Sequence, residues 1–375
     1  MQKLMMELTC FGGFTTQQQM KGGPGGSSTG FGNFKEIGPL DVNLNERNTT
    51  WLGSASLLFV DNPVGAGYSY ATKDAAYTHN SHEIATNLVT LMSSFLEKVP
   101  DFKKIPFYIF SESYGGKMAA AFAKELLSAI QESKIDCNFK GVALGDSWIA
   151  PLNSTLSWGP YLYATSLIDG VGLADVDQTA RQCEKAVISG DWFMATTLWS
   201  QLEDVVEKVT FGVNWYNILQ WARQYKRHVE VYANDLHQLM NGPIRDKLKI
   251  IPKNVTWGGQ SEQVFEHLKE DFMKDIIMTV SKLLETDIKV VVYSGQLDLI
   301  VNTMGTEQWI NQLQWSDLED YIKSPRKPLY CDNKMAGYIK KYKNFSFYWI
   351  LKAGHMVPAD QGETALVMLN DVINN

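Results

Sequence analysis

The run Ile109-Phe110-Ser111-Glu112-Ser113-Tyr114-Gly115-Gly116 puts a serine where an apolar stretch of strand length gives way to an Ala-, Lys- and Leu-rich helical stretch. Such a junction suits a nucleophile. The sharp turn lifts the hydroxyl above the sheet, and the first N–H groups of the helix face the place where an oxyanion forms. Gly115, two residues on, leaves the turn room, and Ser111, two residues before, is small although not the usual glycine. The plain alternative is a strand–helix turn capped by serine. A serine nucleophile needs a base, and the base needs a carboxylate to orient it. One such set runs along the chain in the order Ser, Asp or Glu, His. Asp298 follows the strand-like Lys289 to Tyr293, and His355, in Ala353-Gly354-His355-Met356-Val357-Pro358, follows the apolar Phe345 to Leu351. Loops at the C-terminal ends of neighbouring strands converge, so Ser113, Asp298 and His355 can meet. The five other histidines, His79, His82, His228, His237 and His267, have no comparable context.

Gly22-Gly23-Pro24-Gly25-Gly26-Ser27-Ser28 is a second signal, because glycines let backbone N–H groups approach a ligand closely. The run lacks the Lys-Ser/Thr of a phosphate loop. A surface loop is the plain alternative. As an oxyanion loop it would pair the N–H of Gly23 with that of Tyr114.

The elements that must position these groups alternate. Ser56 to Val60, Phe107 to Phe110 and Val142 to Leu144 read as strands, and Asn80 to Lys98 and Gly115 to Gln131 as helices. Strands alternating with helices imply a mostly parallel sheet covered on both faces. Residues 166–284 read as mainly helical and rich in Trp (Trp192, Trp199, Trp215, Trp221). The strand pattern then returns, and a last helix runs from about Gln361 to Ile373 with Asp360 as its N-cap. The expected architecture is an α/β-hydrolase fold: a core of residues 22–165 and 285–375, a helical cap of residues 166–284, and an atypical segment 1–21. Thr15 to Met20 is too polar for a central buried strand.

The chain has 375 residues, 45% hydrophobic, with a formal net charge of −7. That is ordinary globular composition and gives no electrostatic grip on nucleic acid or an anionic membrane. No metal-ligand spacing appears and no cofactor is implied. The N-terminus lacks the apolar core of a secretory signal. Cys10, Cys137, Cys183 and Cys331 allow one or two disulfides of unreadable pairing. Glycosylation sequons at Asn48, Asn153, Asn254 and Asn344 lean towards a secreted or lysosomal lineage.

The Gly-rich run, Asp61-Asn62-Pro63-Val64-Gly65-Ala66-Gly67-Tyr68-Ser69, Glu112-Ser113-Tyr114-Gly115-Gly116, Gly295-Gln296-Leu297-Asp298 and Gly354-His355-Met356-Val357-Pro358 together resemble the serine carboxypeptidases. Gly22 to Trp158 is most similar to the retinoid-inducible branch of that family. The resemblance implies cleavage of C-terminal peptide bonds through an acyl-enzyme on Ser113, with peptide C-termini as partners. It assigns capture of the substrate carboxylate to Glu112, Glu36 and Gly22, and clustered carboxylates imply a preference for acid. Lys21 stands where the family has Asn or Gln. The resemblance also implies an apolar strand before the Gly-rich loop, whose loss would expose a sheet edge and leave Gly23 without a fixed support. The same triad would serve an acyltransferase or an esterase, and a family member with an altered N-terminus could bind peptides without cleaving them.

Overall fold

The computed structural model describes residues 4–10, 27–221, 235–259 and 261–374, the first of these as backbone. Eight strands form one sheet in the order β2-β1-β3-β4-β5-β8-β7-β6. They are β1 (Leu4–Cys10), β2 (Ser56–Phe59), β3 (Phe107–Ser113), β4 (Phe139–Gly145), β5 (Lys289–Gly295), β6 (Lys327–Cys331), β7 (Lys334–Tyr342) and β8 (Phe345–Ile350). From β2 to β8 all neighbours are parallel, and β7 and β6 add an antiparallel edge. β6 and β7 were not foreseen. Their lysines mask the alternation, and the Asp332-Asn333 turn, with φ of 48° and 61°, joins them as a tight hairpin.

Alternate side chains of the central strands face opposite layers. Phe107, Ile109, Val142, Leu144, Val290 and Val292 pack with α1 (Ser81–Lys98) and α2 (Tyr114–Gln131). Tyr108, Phe110, Ala143, Val291 and Tyr293 pack with the C-terminal helix Gly362–Asn374. Both faces are therefore covered, as the near-continuous apolar strands require.

The strand place beside β3 is filled from the N-terminal segment, and β2 forms the outer edge of the sheet among the described residues. β1 lies between β2 and β3, with Leu4 opposite Phe107 and Cys10 opposite Ser113. Thr15 to Met20 lie outside the described residues.

Between β4 and β5 the helical run starts at α3 (Pro151–Ala164), ahead of residue 166, and continues through α4 (Gly170–Ser189), α5 (Trp192–Thr210) and Glu262–Phe272. Trp199 packs edge-on to Phe272 at 4.6 Å and Trp158 to Trp215 at 4.6 Å, in the same core as α1 and α2. Trp221 is exposed. No described helix is long and apolar enough to cross a membrane.

Cys137, Cys183 and Cys331 are free thiols, so the expected disulfides do not form among these three. Burial pushes the thiols of Cys137 and Cys183 up to about 12. Asn48 and Asn254 are exposed and Asn153 is half-buried. Asn344 Nδ2 donates to the carbonyls of Leu284, Thr286 and Ile288 at 3.1, 2.8 and 3.0 Å, so a glycan on that nitrogen would break a structural clasp.

Candidate active site

Every residue of β3 is buried, and the strand ends at Ser113 with φ 60° and ψ −135°. A non-glycine residue there is strained, and such strain gathers at functional sites. Ser113 occupies the N-cap position of α2, yet its side chain makes no capping hydrogen bond. The plain reading of a serine-capped turn therefore fails. The turn also needs glycine at position 116, where an added Cβ would lie 1.9 Å from Ser147 Oγ. Ser113 is clasped to the chain after β4: its N–H donates to Asp146 O at 3.2 Å, and Trp148 N–H donates to Ser113 O at 2.9 Å.

Asp298 and His355 follow β5 and β8, the next strands along the sheet. Their loops touch backbone to backbone, since a Cβ on Gly295 would lie 2.0 Å from Gly354 O. His355 Nδ1 lies 2.8 Å from Asp298 Oδ2, and both side chains are wholly buried. Val301 N–H donates to Asp298 Oδ1 at 3.2 Å. His355 N–H donates to Tyr216 O at 2.7 Å, and the two rings stand 5.1 Å apart. Asp360 does not cap the last helix. Its carboxylate accepts from Gly354 N–H at 2.7 Å and from Asn217 Nδ2 at 3.1 Å, bracing the histidine loop instead.

Glu36 and Glu112 are also brought together. Glu36 closes a wide-turn helix, Ser28–Glu36, and Glu112 precedes Ser113. Both carboxyls are buried and hydrogen-bonded to each other, in a pocket lined by Trp51, Phe110, Tyr293 and Pro358. Tyr293 OH donates to Glu112 Oε1 at 3.2 Å. Burial raises Glu36 to about 8; the bond to Glu112 and the charge of Arg47 pull it down, and Asp360 pushes it up.

Lys21, Gly22 and Gly23 lie outside the described residues, but the anchor of their loop does not. Ser27 Oγ donates to Asp61 Oδ1 at 2.7 Å and accepts from Trp257 Nε1 at 2.9 Å. Thr29 Oγ1 donates to Asp61 Oδ2 at 2.7 Å, and Tyr68 N–H donates to the same oxygen at 2.8 Å. Asp61, read in the sequence only as a motif residue, is the hub that fixes the end of the Gly-rich run.

Asp146, which follows Val142-Ala143-Leu144 in the sequence and was not singled out there, lies beside the Asp298–His355 pair.

Residues 20–375 match the family model described as serine carboxypeptidase. The chain belongs to the serine carboxypeptidase family. It is 53% identical over 372 residues to the retinoid-inducible serine carboxypeptidase of Rattus norvegicus, covering 93% of this chain and 82% of that one. Serine carboxypeptidase-like 51 of Arabidopsis thaliana is 39% identical over 385 residues, covering 94% and 84%. Among solved structures, a prohormone-processing carboxypeptidase from Saccharomyces cerevisiae matches with a TM-score of 0.86 at 21% identity, covering 100% of this chain and 83% of that one. The shared fold is that of the α/β hydrolases with a mostly parallel core.

Proposed function

We propose that this family member is a serine-type carboxypeptidase that works through Ser113, His355 and Asp298. Ser113 Oγ attacks the carbonyl carbon of the last peptide bond while His355 takes its proton. That proton passes to the leaving amine, and water then cleaves the acyl ester by the same route. Asp298 holds the imidazole through Nδ1. The N–H of Tyr114, at the start of α2, and that of Gly23 stabilise the oxyanion. The observation that carries the reading is the buried 2.8 Å His355–Asp298 pair, together with a Ser113 whose strained turn spends no hydroxyl on capping.

The exopeptidase part rests on Glu36 and Glu112. A buried pair that shares protons can donate to a substrate carboxylate, whereas an ionised pair repels it. Gly22 and the Lys21 ammonium complete the grip from the Gly-rich loop. The substrates are peptide C-termini, and the exposed sequons at Asn48 and Asn254 fit a secreted or lysosomal setting.

Two measurements test this. Amidating the C-terminus of a peptide substrate lowers kcat/KM by about 10- to 100-fold, the worth of one hydrogen bond to a charged group; equal turnover of acid and amide would remove the exopeptidase assignment. The second is pH. Folded Glu36 keeps its proton up to about pH 8, whereas an ordinary carboxyl loses it above 4.5. Its pH-dependent support of the fold is therefore full below that ordinary value and lost as pH rises towards about 8. KM for a free-carboxylate peptide stays flat through acid pH and rises as pH passes about 8, where folded Glu36 gives up its proton, and Glu36→Gln flattens the rise. A KM that ignores pH in the wild type contradicts the assignment.

A further inference from the structure

Asp146 sits behind the Asp298–His355 pair with no role in the mechanism above. It is 1% exposed and follows β4 with φ 39°. Its backbone carbonyl accepts from the N–H of Ser113, and its Oδ1 accepts from Gly295 N–H at 2.8 Å. Its Oδ2 is buried, and the side chains of Asp298 and Ser294 are its carboxyl's neighbours. Carboxylate oxygens of Asp146 and Asp298 and a ring nitrogen of His355 all lie within 4.8 Å of one another.

We propose that Asp146 is a positioning residue, held as a neutral acid whose hydroxyl donates to Asp298 and keeps that carboxylate aimed at His355. Two carboxylates cannot both ionise this close together in a buried site. Asp298 already accepts from His355 and Val301, so the negative charge is best held there. The contact between Asp146 and Asp298 is a hydrogen bond only if one of the two acids carries the proton, and Gly295 N–H and the Ser294 hydroxyl complete the surroundings of Asp146. Among the described residues, the groups facing the pair add no cation other than His355 when it carries a proton. Tyr293 from β5, Tyr161 from α3, Asp360 beside the histidine loop and, beyond Tyr293, Glu36 and Glu112 are neutral or acidic, and Ser294 offers a hydroxyl. Burial first and the charge of Asp298 second push Asp146 well above the usual carboxylate range. Once Asp146 ionises, repulsion drives Asp298 off the imidazole and acylation of Ser113 slows.

The inference rests on the triad proposed above. The test is the rate of labelling of the full chain by a fluorophosphonate, measured across pH. This reagent carries no C-terminal carboxylate, so the Glu36–Glu112 pair does not enter. Asp146→Ala slows labelling about tenfold or more, since a hydrogen bond to a charged group is lost. Asp146→Asn, whose amide still donates but cannot ionise, recovers most of that loss at acid pH. It also moves the alkaline fall of the labelling rate upwards by about one pH unit or more. The idea is overturned if Asn and Ala are equally slow, or if the Asn profile follows the wild type through its alkaline fall. Should the Ala variant not fold, the Asn profile alone decides. A wild type that takes no label at all would instead overturn the triad.

Discussion

Ser113→Ala abolishes fluorophosphonate labelling and lowers kcat/KM for a C-terminally free peptide by about four to six orders of magnitude. His355→Ala falls almost as far, and the double variant falls no further, because the two groups act in one proton-coupled step. What remains comes from oxyanion donors and substrate binding. The stability of Ser113→Ala should equal or exceed that of the wild type, since the hydroxyl caps nothing while the turn holds φ at 60°. Wild-type labelling of Ser113→Ala would move the nucleophile elsewhere and dissolve the case for Asp298 and His355.

Lys117→Ala gives the largest loss of stability, about 3–5 kcal/mol in chemical denaturation. Lys117 lies on α2, one turn after the nucleophile, and is 1% exposed. Its ammonium lies 3.1 Å from Asp271 Oδ2 and also donates to Asp271 O. Tyr114 OH donates to the same carboxylate at 2.8 Å, and the Tyr114 ring stacks on Phe272. Burial lowers the pKa of Lys117, and Asp271 works against that shift. Removing only the cation leaves a buried carboxylate with a single neutral donor. Lys117→Met with Asp271→Asn should recover most of the loss, because no charge remains buried and Tyr114 keeps an acceptor. A single variant as stable as the wild type would mean that solvent reaches the pair.

The parts of the fold that were legible in the sequence are those whose local pattern agrees with their tertiary setting. Phe107 to Phe110 and Lys289 to Tyr293 are apolar because both faces of the sheet are covered, and α1 carries Asn80 at its cap with the N–H of Glu83 bound to it. The meeting of Asp298 with His355 was legible because each follows such a strand. The rest depended on distance in the chain. Leu4–Cys10 is a short run whose only strand signal is the pairing it makes far downstream. Asp360 looks like a cap from its neighbours, whereas its partners are Gly354 and Asn217. Asp146 meets Asp298 only because β4 lies beside both β3 and β5. Polar networks that join separate loops leave no periodic trace.

The position of β1 bears on how the protein is made. Its neighbours on the two sides, beginning at Ser56 and Phe107, are synthesised more than 50 and more than 100 residues later. A ribosome therefore releases this strand long before anything exists for it to pair with, and parallel pairing at that range is slow to form. In the interval its backbone is open to other strands, so maturation should be sensitive to growth temperature and to chaperone supply. A change within Leu4–Cys10 acts on the strand beside Ser113, and so reaches the strained turn through the sheet.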